Sequence, residues 1–225
     1  GQKIKYSVRE IVNNANYTSK VSNSTPYNWT VRNNHTPLRT SVNVTKVWND
    51  NNDQDGVRPV NVTVVLLADG SVVASATLNA SNDWYYSFGD LPVYSNGEVI
   101  KYSVKELTVA NYTAVISNDT AYDWTVTNTH VPVVTEVNVS KVWNDNNNQD
   151  GVRPANITVV LLKDGVSIAN ATLNVSNHWK VTFGDLPVYS NGKAIVYSIE
   201  EVSVANYTSV ISNDTAYAFT VTNTH

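Results

Sequence analysis

The sequence predicts an all-β chain built of tandem two-sheet sandwich modules, with about seven short strands in each. Three observations carry that expectation. Segments recur at a fixed spacing of 95 residues, apolar side chains alternate with a period of two, and turn signals punctuate the chain with no helical period between them.

The spacing sets the organisation. KVWNDNN at 46–52 returns at 141–147, GDLPVYSNG at 89–97 returns at 184–192, and SNDTAY at 117–122 returns at 212–217. Two complete modules follow, over 39–130 and 131–225, the second beginning with a linker. Residues 1–38 read as the C-terminal fragment of a preceding module plus a linker, since GQKIKYSVRE matches GEVIKYSVKE at 97–106 and YNWTVRNNH matches YDWTVTNTH at 122–130. Proline marks both linkers, around 36–40 and 131–135. Each module is expected to touch mainly its neighbour.

Within the first complete module the strand candidates are 42–48, 60–67, 72–78, 84–88, 98–107, 112–117 and 121–128. Asp69-Gly70 and Asn96-Gly97 are hairpin turn signals, and Arg58-Pro59 ends a long polar loop. No stretch reads as a helix.

Composition narrows the class. Hydrophobic residues make up 42% of the 225 and aromatics 10%, enough for packed cores. Charged residues are only 15%, and the net charge of −4 leaves no basic patch, which argues against a nucleic-acid partner. Cysteine is absent, so disulfides, thiolate metal sites and cysteine nucleophiles are excluded. No apolar run approaches the roughly 18 residues of a spanning helix, so no membrane contact is expected of this segment. The abundance of Asn, Thr, Ser, Val and Tyr suits β-rich surfaces facing the outside world.

Three polar residues break the apolar parity of each module. In VNVTKVW at 42–48 and VNVSKVW at 137–143, Lys46 and Lys141 share the face of the valines. Glu106 closes the row Ile100, Tyr102, Val104, and Glu201 closes Ile195, Tyr197, Ile199; Asn128 closes Tyr122, Trp124, Val126, and Asn223 closes Tyr217, Phe219, Val221. The fragment repeats two of the three, with Glu10 after Ile4, Tyr6, Val8 and Asn33 after Tyr27, Trp29, Val31; its lysine would precede residue 1.

Spacing alone leaves two readings open. One is a buried ion pair hydrogen bonded to an amide, or strand ends that simply reach solvent. The other is chemistry: desolvation favours neutral lysine and protonated glutamate, a neutral amine is a nucleophile, and a carboxyl can shuttle protons as ammonia leaves. The product would join Lys46 to Asn128 and Lys141 to Asn223 through a side-chain amide, in one turnover that needs only alignment.

These motifs carry a resemblance. TKVWNDNNDQDGVRP, LLADG, WYYSFGDLP, KYSVKE and TVTNTH together resemble the B-type repeat of collagen-binding adhesins (Cna B-type), found in surface adhesins and pili. The resemblance covers both modules and the fragment. It implies an Ig-like or prealbumin-like β-sandwich with an intramolecular isopeptide bond between first-strand lysine and last-strand asparagine, assisted by a buried acid. Those roles fall on Lys46, Asn128 and Glu106, and on Lys141, Asn223 and Glu201; the partial module keeps Glu10 and Asn33 only. A tie between end strands carries load without unzipping the sheets. It also closes a loop of about 80 residues, constraining the unfolded chain by roughly 4 kcal/mol.

Three further features have competing readings. The loops 49–59 and 144–154 offer Asp50, Asp53, Asp55, Asp145 and Asp150 as weak calcium candidates, but Asp53 becomes Asn148 and no closing glutamate stands in place, so an Asx-rich turn without a cofactor is the stronger reading. N-x-S/T sequons abound, and Asn28, Asn43, Asn61, Asn111, Asn138, Asn156 and Asn206 are candidate glycosylation sites, with Asn28, Asn43 and Asn138 on outward parity. His35, His130 and His225 end their modules equivalently, which suggests junction packing.

The expectation is a non-enzymatic extracellular, cell-surface stalk or fibre whose anchor lies outside this segment and whose partners are neighbouring repeats. One alternative is a ligand-binding module that recognises a host protein or glycan. Another is a filament subunit, in which Glu10 and Asn33 meet a lysine from another chain.

Overall fold

The computed structural model describes residues 1–11 and 14–225. Contacts divide the chain into two compact units: residues 1–47, 61–108 and 115–126 form one, and residues 48–60, 109–114 and 127–225 the other.

The N-terminal residues form one hairpin, β1 (Thr18–Thr25) and β2 (Asn28–Asn34). Residues 1–11 do not enter a strand. The inward row expected of Ile4, Tyr6 and Val8 is therefore not realised, and Ile4 is 71% exposed. An alternating segment buries one face only when a second layer covers it, and among the described residues none covers this one.

The first repeat follows with β3 (Arg39–Asn49), β4 (Asn61–Ala68), β5 (Ser71–Asn79), β6 (Tyr85–Pro92), the short pair β7 (Tyr94–Ser95) and β8 (Glu98–Val99), β9 (Tyr102–Glu106), β10 (Thr113–Asn118) and β11 (Asp123–Thr129). Its sheets have the orders β10-β11-β3-β6, β5-β4-β9 and β7-β8. Both hairpin signals are genuine: Asp69-Gly70 and Asn96-Gly97 have positive φ at both residues (49° and 84°, 50° and 86°), the geometry that a twisted two-residue hairpin requires.

The second repeat repeats the plan with β12 (Val134–Asn144), β13 (Asn156–Lys163), β14 (Val166–Asn174), β15 (Lys180–Pro187), β16 (Tyr189–Ser190), β17 (Lys193–Ala194), β18 (Tyr197–Glu201), β19 (Thr208–Thr215) and β20 (Ala218–Thr224). Its sheets run β15-β12-β20-β19, β14-β13-β18 and β16-β17. Val137, Val139, Ile157, Val159, Leu161 and Leu173 build the core, with Tyr197, Phe219 and Val221 from the later strands. Fully burying each such side chain stabilises the fold by about 1.5–3 kcal/mol.

Two details differ from the sequence reading. The long strand 98–107 is interrupted, because Lys101 pairs with the hairpin residue Asp69 instead: Lys101 N–H donates to Asp69 Oδ1 at 2.9 Å and Asp69 N–H to Lys101 O at 2.9 Å. One-turn 3₁₀ segments also occur at Ala80–Asn82 and Val175–Asn177, each capped by the preceding asparagine, Asn79 or Asn174.

Candidate functional site: lysine, glutamate and asparagine in the repeat core

The first and last strands of the second repeat, β12 and β20, pair in parallel, which sets Lys141 opposite Val221 and Trp143 opposite Asn223. Asn223 therefore stands one inward position beyond the partner of Lys141, within reach of a long side chain. On the other sheet, antiparallel pairing with Val159 places Glu201 at the end of β18. The Lys141 side chain is wholly buried, and those of Glu201 and Asn223 nearly so.

The ammonium is poorly served there. Lys141 Nζ lies 3.9 Å from Glu201 Oε1, beyond hydrogen-bond range, and donates instead to the Val142 carbonyl at 2.9 Å and the Val221 carbonyl at 3.4 Å. It sits 4.1 Å from the centre of the Trp143 ring. Burial pulls the Lys141 amine down to about 8, with the Glu201 charge opposing the fall. Asn223 Nδ2 donates to Glu201 Oε1 at 3.1 Å. Among the described residues, Asn223 Oδ1 and Glu201 Oε2 have no hydrogen-bond partner. Such orphaned buried atoms cost about 1–3 kcal/mol each, so this is no optimised ion pair. What the arrangement offers is a desolvated amine, an amide and a carboxyl with a free oxygen, gathered in one dry place.

The first repeat carries the same elements. Lys46 Nζ is 3.8 Å from Glu106 Oε1 and donates to the carbonyls of Val47 (2.9 Å) and Val126 (3.3 Å). Asn128 is fully buried, and both its amide atoms lack a hydrogen-bond partner among the described residues. In the N-terminal segment Glu10 accepts from Ser19 Oγ and from Asn33 Nδ2 (2.8 Å), so that pair also meets. Those two donors hold the Glu10 carboxyl below its ordinary value.

The aspartates of the Asx loops are committed to protein groups. Asp50 takes the Arg58 guanidinium with both oxygens (2.6 and 2.9 Å) and the Tyr112 hydroxyl (2.8 Å); Asp145 takes Arg153 and Tyr207 likewise. The Arg58 hydrogen bonds hold the Asp50 carboxyl at about 2, and Asp145 is lowered by Arg153 in the same way. Asp53 Oδ1 accepts the Arg58 N–H at 2.9 Å, and Asn148 Oδ1 does this for Arg153 at 2.9 Å. The position needs one oxygen rather than a charge, so Asp and Asn interchange. Asp55 accepts from His130 Nε2 and Val133 N–H, and Asp150 from His225 Nε2. No cluster of three His, Cys, Asp or Glu suited to a metal occurs among the described residues. The Asp–Arg–Tyr cluster was not anticipated, although Asp50 continues the inward parity of Lys46 and Trp48.

Of the candidate sequons, Asn28, Asn61, Asn111, Asn138, Asn156 and Asn206 are exposed. Asn43 is half-buried, its amide donating to Asp123 Oδ1 at 2.8 Å and accepting from the Tyr85 hydroxyl at 3.0 Å.

Fold and site together define a class: tandem all-β sandwich repeats with a lysine, a glutamate and an asparagine set into each core. The Cna protein B-type domain family matches twice, over residues 42–129 and 137–224, and the chain belongs to that family. The collagen adhesin of Staphylococcus aureus is 39% identical over 217 residues, covering 96% of this chain and 18% of that protein. The crystal structure of two B repeat units (B1B2) of the S. aureus collagen binding protein (Cna) matches with a TM-score of 0.52 at 39% identity, over all of this chain and 59% of that one. A single B repeat unit (B1) of the same protein matches at 39% identity and a TM-score of 0.40, over 83% of this chain and 98% of that one. The chain thus spans under a fifth of the curated relative's length. No helix among the described residues is long and apolar enough to cross a membrane.

Proposed function

We propose that this chain is a segment of an extracellular surface adhesin or fibre, in which self-crosslinking sandwich repeats act as a mechanical spacer rather than as an enzyme. The division at 39–130 and 131–225, with a partial module before it, belongs to this reading. The observation that carries it is the desolvated Lys141 beside Glu201 and a buried asparagine amide, echoed by Lys46, Glu106 and Asn128.

The reaction balances without an external reagent. Neutral Lys141 Nζ attacks Asn223 Cγ; the Nζ–Cγ bond forms, the Cγ–Nδ2 bond breaks, and the amine proton leaves with Nδ2 as ammonia. Glu201 is the proton carrier. Turning the Asn223 amide about its last torsion would point Oδ1 at the carboxyl, whose proton would stabilise the developing oxyanion and then pass to the leaving nitrogen. Bond formation also replaces a desolvated amine and a primary amide by one neutral secondary amide, so fewer polar N–H groups stay buried, a gain that favours the product.

Intact mass of the folded chain tests this reading: two bonds remove about 34 Da, one ammonia for each. An unchanged mass overturns the crosslink. Glycosylation at the exposed sequons would add mass instead, and a spectrum with no species above the bare chain would exclude it. The relative named as a collagen adhesin supports a surface-attached setting. Recognition of a host protein or glycan remains the alternative, with binding to immobilised collagen as its direct assay.

A further inference from the structure

The Asx loop of the first repeat touches the second repeat as well as its own, where it meets Tyr112 and His130. Residues 48–60 fall in the compact unit that holds the whole second repeat. The loop turns through three consecutive left-handed residues, Asn51, Asn52 and Asp53 (φ 55°, 60° and 58°), and so delivers Gln54, Asp55 and Gly56 to the start of the next repeat.

Asp55 is buried there, its side chain 2% exposed. Its Oδ2 accepts the Val133 N–H at 2.8 Å and His130 Nε2 at 3.0 Å, while His130 Nδ1 faces the Asn111 carbonyl at 2.9 Å. Both ring nitrogens thus face acceptors, as an imidazolium would have them. Gln54 O accepts the Gly192 N–H at 3.1 Å. Gly56 and Gly192 meet backbone to backbone: a Cβ on Gly56 would stand 2.4 Å from Gly192 Cα, and one on Gly192 would stand 3.0 Å from Gly56 Cα.

The second repeat carries the counterparts Gln149, Asp150, Gly151 and His225, and among the described residues no turn is seated against Gly151. His225 Nε2 lies 3.1 Å from Asp150 Oδ2 and Nδ1 2.8 Å from the Asn206 carbonyl, yet the Asp150 side chain is 60% exposed. Gln149 and Val152 are exposed where Gln54 and Val57 are half-buried. Gly151 has nothing within 4 Å of a built Cβ, and neither has Gly97, the counterpart of Gly192. A polar cleft of about 320 Å³ opens beside Asp150 and His225.

We propose that Asp55, Gly56 and His130 form a socket that docks the start and the Asn-Gly turn of the following repeat, and that Asp150, Gly151 and His225 present the same socket to a further copy of this repeat. The occupant is defined by chemistry. It must offer a main-chain N–H three residues after the histidine, as Val133 does, and a glycine-tipped turn with room for backbone contact, as Asn191-Gly192 does. A charged or bulky tip would not fit. None of these residues belongs to the proposed crosslink, so this inference and that one stand or fall separately.

Matched glycine pairs supply the test. Gly56 and Gly151 have φ of +67° and +68°, so alanine strains both backbones alike and only the clash at Gly56 differs. In this cysteine-free chain, spin labels on Val60→Cys, beside the Asx loop, and Ile168→Cys, both exposed, report the distance distribution across the joint. The native chain is expected to give one narrow distribution, which Gly56→Ala broadens about twofold or more, since repeats lacking a firm interface move freely, while Gly151→Ala leaves it unchanged. A broad native distribution, a narrow one in Gly56→Ala, or equal broadening in both variants overturns the proposal. Asp55→Asn against Asp150→Asn repeats the comparison without touching backbone conformation. Lengthening the full chain with a second copy of residues 131–225 after His225 tests the open socket: its new joint should be as narrow as the first and should broaden in Asp150→Asn, and a broad joint refutes the docking site.

Discussion

Replacing Glu201 by glutamine separates the chemistry of the core from its packing. The amide keeps the shape of the carboxyl and can still meet Asn223, but it cannot carry a proton to the leaving nitrogen. The second repeat should then fold without its crosslink while the first forms one, so the mass deficit falls from about 34 to about 17 Da. Lys141 and Asn223 would be joined across about 80 residues, and losing a tie of that span costs about 4 kcal/mol in the chain-entropy account. For a repeat of this size each kcal/mol moves the melting temperature by about 4–8 °C, so calorimetry should show one transition lowered by about 15–30 °C and the other in place. Peptide mapping should recover the Lys46–Asn128 branch and no Lys141–Asn223 branch. A Glu201→Gln chain that still loses both ammonias, or one that melts like the native chain, would refute the role of the carboxyl.

Other expectations follow from the loops. Asp50→Asn strands the Arg58 guanidinium and should cost about 3 kcal/mol at neutral pH, measured by denaturant unfolding. Because Arg58 lowers Asp50 to about 2, its contribution is present above the ordinary carboxylate value near 4 and is lost as pH falls towards about 2. The native-to-variant gap should therefore close on acidification; a gap independent of pH would contradict the pairing. His130 is raised above its ordinary value, first by the hydrogen bond to Asp55 and then by the Asn111 carbonyl and the Asp55 and Asp50 charges. Its contribution is complete below about 6.5 and lost as pH rises through the elevated value, so the spin-label distribution should broaden on the alkaline side. Asp53→Asn should change stability by less than about 0.5 kcal/mol, since Asn148 fills that role already. Adding calcium or a chelator should leave both melting transitions unmoved, and a calcium-dependent rise would reopen the loops as metal sites.

Much of the site was legible because strands impose a two-residue period. Lys46 and Lys141 share the parity of buried valines, and Glu106, Glu201, Asn128 and Asn223 lie at the ends of inward rows, where the structure finds them. What parity could not convey is partnership across distance. The break at Ile100 and Lys101 depends on Asp69, 32 residues away. The exposed Ile4, Tyr6 and Val8 show the converse, since a correct pattern buries nothing without a facing sheet. The Arg58–Asp50–Tyr112 cluster was missed because Asp50 looked like a loop residue, although it continues the row of Lys46 and Trp48. The histidines were read as junction residues from their place in the repeat, but the buried acceptor that gives His130 its purpose, Asp55, sits 75 residues earlier in the loop.

The seating of Gly192 against Gly56 bears on how the protein ages. An asparagine followed by glycine is the sequence most open to succinimide formation, in which the glycine nitrogen attacks the asparagine side chain and ammonia is lost. At Asn191-Gly192 that nitrogen is held by Gln54 O and the turn is clamped against another backbone, whereas Gly97, after Asn96, has open space on its Cβ side. Stored protein mapped by peptide mass should therefore accumulate isoaspartate at Asn96 well before Asn191, and equal accumulation would show the clamp to be loose. A docked joint is then also a chemically preserved one, and in a tandem array of such repeats wear would concentrate at turns that no neighbour covers.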